Sequence, residues 1–431
     1  MNSLEERKVA WLASIAHFFT HGYMTLLPAV LVLLSDVQGL GFFHLGVIVN
    51  VGYFLYGAGS IPAGILSDKV GSKRMLTLGV FAMAVTSIMV GLSGSAWSFA
   101  LAYALFGLSA SIYHPAGLSL VARRIQRRGK ALGLHGVMGN LGLVLSPLFA
   151  ALMVKWFNTW RAAYIVLGLL GLVYALVMLK VRVQEEEEFS LSSVLSWLRS
   201  RRVFADVRGS VSLQAPEQPA ERARSFLIPL SLLILYVECV LFGIIFRGSI
   251  TFLPMLLQQE VSFIYTLEPP GPTVLAGLMT SAILALGIGG LWVAGLAIDR
   301  MRQPELAPVG IFAVVAPLLF LLSRASDLNV ILLGATFSII FFGWQPFQNA
   351  LIAKYTSKGS HGVGYGVNFF LIMGVGSVAT TLGGYLAEQH GAFSVYHMLA
   401  AVAAAAGVAA LGVLWLGPYA LRVSVILQRR T

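Results

Sequence analysis

Four ionisable side chains lie inside long apolar runs of this sequence, where such groups are rare. His17 and His21 are four residues apart, so a helix would place them on one face. Glu238 and Arg247 belong to a later run, as its only acid and its only strong cation well inside the run. Polar groups are costly in hydrocarbon, so these residues indicate proton transfer, ion pairing or recognition of a charged ligand.

Glu238 and Arg247 have different predicted roles. Apolar surroundings disfavour an ionised carboxyl group, so Glu238 is predicted to carry a coupled proton, with His21 as a second proton site. A structural pair between Glu238 and a histidine is the alternative. Nine residues turn a helix by about 900°, so Glu238 and Arg247 are not expected to form an ion pair. Arg247 is predicted to bind an anion with its forked guanidinium, and snorkelling outward is the alternative.

Two other runs carry polar side chains beside a proline. Tyr113 and His114 precede one proline, although His114 could also belong to the cytoplasmic rim, and Gln345, Gln348 and Asn349 surround another. Hydroxyl, imidazole and amide groups can orient a ligand by hydrogen bonds. The predicted substrate-binding residues are His17, His21, Tyr113, His114, Arg247, Gln345, Gln348 and Asn349.

Two prolines relate the first and seventh apolar runs. Aligning Pro28 with Pro254 places His21 opposite Arg247 across a central axis. Two basic side chains facing one cavity would form an anion site. His135 lies at the start of the fifth run and is expected at the rim of the cavity, not at its centre.

Several other kinds of chemistry are not supported. His17 and His21 have the spacing of a chelating pair, but no cysteine or nearby carboxylate accompanies them on their run, so neither a metal nor another cofactor is predicted. The sequence contains no Gly-x-x-x-x-Gly-Lys-Ser/Thr motif for nucleotide binding. An enzyme would need a nucleophile–base pair or paired acids on one face, and a single intramembrane acid does not supply them. The protein is therefore predicted not to be an enzyme.

The composition explains where these residues lie. The 431 residues are 58% hydrophobic and 11% charged, and their mean hydropathy is +0.83, which excludes an ordinary soluble domain. The net charge of +11 comes from short basic clusters between apolar runs, a pattern of membrane orientation and not of nucleic-acid binding. Twelve spans are predicted, at residues 9–34, 42–66, 74–95, 97–122, 131–155, 160–181, 226–256, 272–298, 306–322, 329–356, 362–387 and 394–421.

The basic residues also predict the orientation. With both termini in the cytoplasm, Lys155, Arg161 and Arg324 are external, Arg247 is within a span, and every other Lys and Arg is cytoplasmic. No small-residue cleavage site follows the first run, so a multi-pass protein of the cytoplasmic (inner) membrane without a signal peptide is expected.

The chain contains an internal repeat with an offset of 231 residues. Gly64, Asp68 and Lys69 match Gly295, Asp299 and Arg300. The same offset relates Tyr113-His114-Pro115 to Trp344-Gln345-Pro346 and Arg123 to Lys354. Paired repeats in a membrane protein are typical of a secondary transporter.

The loop after the second run resembles the signature loop of the major facilitator superfamily. Its residues and their second copy are Gly64, Asp68, Lys69, Gly71, Lys73, Arg74, Gly295, Asp299 and Arg300. Glycines permit a tight turn and close helix packing, and an aspartate can accept hydrogen bonds from a neighbouring helix end, so these residues are predicted to form a gate. The alternative is that the basic residues of this loop only orient the protein in the membrane.

This resemblance implies an all-α fold of twelve transmembrane helices in two pseudo-symmetric halves, with helices 1, 4, 7 and 10 around a central cavity. It departs from the family at Tyr103, where an arginine is often found four residues before a glycine. The fifth run has glycines at every third position from Gly133 to Gly142, which resembles an antiporter helix or simply reflects close packing.

The predicted domains are residues 1–181, a cytoplasmic linker at 182–225, and residues 226–431. After an acidic run, the linker has leucine and valine at helical spacing and then arginines, which favours an interfacial amphipathic helix over a plain solvated linker.

Together these features predict a monomeric secondary transporter that works by alternating access. Tyr113-His114-Pro115 and the histidines of the first run look most like the fosmidomycin-resistance type of exporter. This implies proton-coupled antiport that exports a small organic anion or amphiphilic compound. The alternatives are an uptake symporter for an organic anion and an exporter of lipids or hydrophobic drugs. The expected partners are the substrate, protons and membrane lipids, and no nucleic acid.

Overall fold

A computed structural model describes residues 3–125, 128–183, 219–266, 271–298, 300–356 and 361–428. These residues form long helices joined by short loops, and we number the twelve apolar helices α1–α12. The first six are α1 (Leu4–Met24 and Leu26–Gln38), α2 (Phe42–Val70), α3 (Ser72–Leu92), α4 (Ala96–Ala110 and Tyr113–Arg124), α5 (Arg128–Phe157) and α6 (Arg161–Lys180).

The second six helices follow the same order. They are α7 (Pro219–Glu260), α8 (Pro272–Ile298), α9 (Leu306–Leu322), α10 (Leu328–Phe342 and Trp344–Tyr355), α11 (His361–Phe369, continuing through Phe370–Gly374 and Val375–Ser377 to Val378–His390) and α12 (Ala392–Gln428). Eleven of the twelve helices are long and apolar enough to cross a membrane, and the shorter α9 has 17 residues, which is the lower limit for a span. The prediction of twelve helices in two six-helix halves is confirmed.

Two prolines that are related by the repeat interrupt α4 and α10 at equivalent places. The second segments of α4 and α10, Tyr113–Arg124 and Trp344–Tyr355, begin and end 231 residues apart. Pro115 and Pro346 are the third residues of these segments. A proline lacks the N–H that would bond to the carbonyl four residues earlier, so each helix is interrupted just before its proline. The breaks place Tyr113 and Trp344 at equivalent buried positions.

Glycines set the close spacing of several helices. A Cβ atom on Gly107 of α4 would overlap the backbone of Gly52 on α2, so these helices touch through their main chains. Gly290 of α8 meets the backbone of Ile339 on α10 in the same way. Close backbone contact through small residues is a common way to hold helices together in a membrane.

The two ends of the bundle differ. We call the end that carries Lys69, Arg74, Arg123, Arg124, Arg300 and Lys354 the basic end, and the end that carries Gly41 and Glu388 the sealed end. Extensive contacts between the halves lie in the sealed half of the bundle. Thr380 Oγ1 of α11 donates to the carbonyl oxygen of Gly46 on α2 at 2.9 Å, and Ser281 Oγ of α8 accepts from the amide of Leu148 on α5 at 3.0 Å.

A carboxylate joins the two halves at the sealed end. Glu388 near the end of α11 accepts a hydrogen bond from the backbone N–H of Phe43, at the start of α2, with Oε2 at 2.8 Å. The N-cap residue of α2 is Gly41, which has no side chain to cap the helix itself. An acidic group at a helix N-terminus satisfies free N–H groups and interacts favourably with the helix dipole. Glu388 thus caps a helix of the opposite half.

Removing this cap should loosen the sealed end. Glu388→Ala removes an interaction of about 1 kcal/mol, which should raise the ratio of open to closed sealed ends about fivefold. Spin labels on Val37→Cys and Tyr265→Cys, both exposed at this end and in different halves, would report the change as a population at longer distance.

The matched control is Glu260→Ala, at the same end, whose side chain makes no hydrogen bond or ion pair with the described part of the chain. Both variants are made in a Cys239→Ala background, since Cys239 is the native cysteine. An equal change in the two variants would contradict a specific role for the Glu388 cap.

Candidate substrate and proton site

His17 and His21 of α1 form a hydrogen-bonded pair near the middle of the bundle. His17 Nδ1 lies 2.7 Å from the carbonyl oxygen of His135, so this nitrogen donates. His17 Nε2 lies 3.0 Å from His21 Nε2. Because a neutral imidazole has one N–H, His17 must accept at Nε2 and His21 must donate. The carbonyl of His135 thus fixes the tautomer of His17, which in turn makes His21 the donor of the second hydrogen bond.

His135 belongs to this cluster, contrary to the expectation that it lies at the rim. It is buried, and its ring stacks on that of His17 with centroids 3.9 Å apart. Tyr113 Oη donates to the carbonyl of Ala13 at 2.8 Å, so His135 Nε2 must donate to Tyr113 Oη, also at 2.8 Å. No pattern in the sequence predicts this position of His135, because it depends on how α5 packs against α1. Gly139 of α5 makes the approach possible, since a Cβ there would overlap the His17 ring.

His114 connects the cluster to the other half. Its ring centroid lies 5.2 Å from that of His17, 5.7 Å from that of His21 and 4.6 Å from that of Phe369 on α11. Its Nε2 atom is buried and has no hydrogen-bond partner among the described residues. Of the two predicted places for His114, the structure therefore shows the central one.

The histidines are close enough to raise the question of a metal ion. One ring nitrogen each from His17, His21 and His114 lies within 4.8 Å of the others, which is compatible with ligands of a single ion. The third nitrogen comes from α4, a contribution that the sequence spacing could not reveal. An ion held there would have to replace the hydrogen bond between His17 Nε2 and His21 Nε2.

Arg247 of α7 lies at the junction of the halves. Its side chain is 3% exposed, its guanidinium lies over the Tyr53 ring of α2 at 3.8 Å, and Nη2 contacts the Met373 sulfur of α11. Nε has no hydrogen-bond partner, and no acidic side chain of the described chain pairs with the guanidinium. Arg247 does not snorkel to the surface. It faces the other half, on the side of His21.

Glu238 occupies a separate place within the second half. It is fully buried, and its Oε1 accepts a hydrogen bond from the indole Nε1 of Trp344 at 2.6 Å. The indole in turn stacks on Phe242 with centroids 3.8 Å apart. Oε2 has no partner within the described residues. The partner of Glu238 is therefore an indole and not a histidine, and no ion pair joins it to Arg247.

The amides of α10 divide between two environments. Gln348 is buried and donates to Asn368 of α11 and, at 3.8 Å, to the sulfur of Cys239. Gln345 and Asn349 are exposed on one face of α10. The repeat relates Gln345 to His114, which faces the centre. Because exposed amides are costly in hydrocarbon, this face of α10 is expected to contact water and not lipid.

The predicted gate residues lie at the basic end. Gly71 has φ +99°, a value that favours glycine, and it forms the turn between α2 and α3. The Cβ position of Gly64 lies 3.4 Å from Pro115, whereas that of Gly295 has no neighbour within 4 Å. Lys69, Arg74 and Arg300 are exposed and Lys73 is half-buried.

Several predictions concern residues whose placement is not described. The Asp68 side chain, Asp299 and most of the linker at 182–225, with its amphipathic segment, lie outside the described residues. In the glycine stripe of α5, Gly142 packs on the backbone of α1 at Phe18, while Gly136 has no neighbour within 4 Å of its Cβ position. One part of the stripe thus serves close packing.

Comparisons with known proteins agree with this architecture. A family model described as the Major Facilitator Superfamily matches residues 12–381. The chain is 23% identical over 399 residues to a probable L-galactonate transporter of Escherichia coli (strain K12), covering 87% of this chain and 81% of that protein. It is 26% identical over 412 residues to a probable 4-methylmuconolactone transporter of Cupriavidus pinatubonensis (strain JMP 134 / LMG 1197), covering 91% and 87%.

A solved structure shares the fold. It is a bacterial homolog of the human lysosomal transporter Spinster, crystallised inward-facing and unoccupied, with a TM-score of 0.69, 13% identity and coverage of 99% of this chain and 98% of that one. With the family model spanning most of the chain, the twelve-helix repeat and the similarity to transporters over nearly its whole length, this protein belongs to the major facilitator superfamily, as a multi-pass membrane transporter and not an enzyme.

Proposed function

We propose that this protein moves a small organic anion across the cytoplasmic membrane together with protons, by alternating access. The observation that carries the proposal is the unpaired Arg247 at the junction of the two halves. Its nearest described neighbours are an aromatic ring and a thioether, and neither neutralises its charge. A buried charge without a partner costs several kcal/mol, so the site favours an anionic ligand.

The placement of Arg247 suits a carrier. It belongs to the second half and lies over Tyr53 of the first. Tyr56, three residues further along α2, has its ring centroid 6.1 Å from that of His114 in the histidine cluster. An anion held by Arg247 and the histidines would contact both halves at once. Such a ligand can favour the arrangement in which the two halves meet around it, as alternating access requires.

The site charges favour one of the two predicted kinds of coupling. A proton on the histidine cluster would place a second positive charge on the side that Arg247 faces, and an anion between the two charges would relieve the repulsion. Proton binding and anion binding then strengthen each other, and by linkage the effect is reciprocal. Ligands that bind together are carried together, which supports symport. Antiport, the predicted mode of the fosmidomycin-resistance type, would require the proton and the substrate to compete.

The relatives and the basic residues support the remaining parts of the proposal. One relative is named for L-galactonate, a sugar acid that is an anion at neutral pH. The basic end carries many Lys and Arg, so the positive-inside rule supports a cytoplasmic position for this end and for both termini. Since the described hydrogen bonds between the halves lie toward the opposite, sealed end, the structure would be the inward-facing state of an inner-membrane carrier.

Arg247 can be tested by ligand-dependent stability. We expect sugar acids and other small carboxylates to raise the melting temperature of the purified protein, and Arg247→Met to bind them at least about tenfold more weakly. Without ligand, Arg247→Met should be as stable as the wild type or more so, because it removes an unpaired buried charge while keeping the side-chain volume.

The control for this test is Arg324→Met. Arg324 also lies over an aromatic ring, Phe320, at 5.0 Å, but it is exposed at the sealed end. Equal ligand responses of the wild type and Arg247→Met, or stabilisation by neutral and cationic amphiphiles alone, would contradict an anion site and favour an exporter of hydrophobic compounds.

The coupling can be measured in proteoliposomes that contain a pH-sensitive dye. For symport, adding a transported carboxylate outside should acidify the lumen, and His21→Asn should lose this proton flux. Acidification of the outside medium on substrate entry would instead show antiport.

Glu238 provides a second test of the proton site. Glu238→Gln keeps an acceptor for the Trp344 indole but cannot ionise, so the pH dependence of transport should disappear if this carboxyl group carries the coupled proton. Coupled transport that survives in Glu238→Gln would assign the proton to the histidine cluster.

The predicted gate can be tested separately from binding. Asp68→Asn should slow transport in proteoliposomes several-fold while the melting-temperature response to the substrate stays unchanged, because the gate stabilises one conformation and does not contact the ligand. Unchanged transport would rule out the role of Asp68 in the gate.

A further inference from the structure

Three buried polar atoms without a hydrogen-bond partner among the described residues lie where the two halves of the protein meet. They are Tyr56 Oη on α2, His114 Nε2 on α4 and Arg247 Nε on α7. The guanidinium of Arg247 lies over Tyr53 of the opposite half. A polar group that is buried without a partner is destabilising, so three such atoms at one junction indicate a ligand that would supply their hydrogen bonds.

An aromatic side chain of the second half contacts both Tyr56 and His114. The ring centroid of Phe369 on α11 lies 5.1 Å from that of Tyr56 and 4.6 Å from that of His114. The rings of Tyr56 and His114 are themselves 6.1 Å apart. The three rings thus form one cluster between α2, α4 and α11, in which a phenol and an imidazole accompany an apolar ring.

This cluster and Arg247 are related through α2. Tyr53 and Tyr56 are three residues apart, so they share one face of the helix. Three residues correspond to about 4.5 Å along a helix axis. A molecule whose carboxylate binds Arg247, over Tyr53, could therefore reach Tyr56 and His114 with groups that lie several carbon atoms from its carboxylate.

We propose that Tyr56 and His114 bind hydroxyl groups of the substrate, which makes a polyhydroxylated carboxylate the preferred ligand of this carrier. The inference rests on the proposed anion site at Arg247 and extends it to the other end of the same ligand. Phe369 would pack on the carbon chain, since ligand sites are lined mostly by apolar and aromatic side chains.

The chemistry of the two polar groups favours hydroxyls over an alkyl chain. A hydroxyl group both donates and accepts, so it can pair with the Tyr56 phenol and with either tautomer of His114. An alkyl chain would leave both atoms buried and unpaired, and sites of this kind discriminate strongly against ligands that lack the matching hydroxyl. A hydroxyl next to the carboxylate, as in lactate, would stay near Arg247 and would not reach them.

The test compares pairs of carboxylates by the melting temperature of the purified full-length protein at increasing ligand concentration. Gluconate should bind the wild type at least about tenfold more tightly than hexanoate, which has the same chain length without hydroxyl groups. Lactate should bind no better than propionate. Tyr56→Phe, which removes only the phenolic oxygen, should bind gluconate about tenfold more weakly and leave hexanoate binding unchanged.

The matched control is Tyr164→Phe. Tyr164 Oη is also buried without a hydrogen-bond partner among the described residues, but its ring packs on Trp160 of the same half, with centroids 6.0 Å apart. Without ligand, both variants should be as stable as the wild type or more so, because each loses an unpaired buried hydroxyl. The control should keep the preference of the wild type for gluconate.

The outcomes separate this inference from the anion site itself. Loss of all carboxylate binding in Arg247→Met, together with loss of the gluconate preference alone in Tyr56→Phe, would support both. Equal binding of gluconate and hexanoate by the wild type would overturn the hydroxyl site and leave the anion site standing, and this comparison needs no variant to fold. An unchanged gluconate preference in Tyr56→Phe would overturn the role of Tyr56. No response of the wild type to any carboxylate would overturn the anion site and this inference with it.

Discussion

The cost of placing polar groups in hydrocarbon governs both the fold and the site of this protein. Backbone groups avoid that cost by forming continuous helices, which is why almost all described residues are helical. Polar side chains avoid it by bonding to one another or to free carbonyls. The breaks before Pro115 and Pro346 and the glycine contacts between helices bring such side chains to the centre, where they find partners.

The histidine cluster and Arg247 represent two different outcomes of that constraint. His17, His135 and Tyr113 satisfy one another through a chain of hydrogen bonds that ends on backbone carbonyls, so they are stable without a ligand. The Nε atom of Arg247 has no hydrogen-bond partner within the described residues. Its guanidinium lies between the halves, over Tyr53, where we propose that a ligand binds. The contrast separates residues whose polar groups are satisfied within the fold from Arg247, for which we propose a ligand.

The two ends of the bundle use different interactions to control access. At the sealed end, direct hydrogen bonds cross between the halves, including the Glu388 cap on α2. At the basic end, Lys69, Arg74, Arg300 and Lys354 are exposed, so interactions between these charges are screened by salt. An asymmetry of this kind lets one end respond to its surroundings while the other depends on internal contacts. It fits a carrier whose two ends must open in turn.

The sequence by itself determined the architecture and the types of residue in the site. Hydropathy predicts all twelve helices with ends within seven residues of the observed ones, because an apolar run must be long enough to cross the membrane. The 231-residue offset predicts the matching segments of α4 and α10. The sequence could not place His135, the Glu388 cap or the exposure of Gln345. Those depend on which helix faces touch across the bundle. Only the tertiary structure decides them, because contact between distant helices is set by packing and not by local spacing.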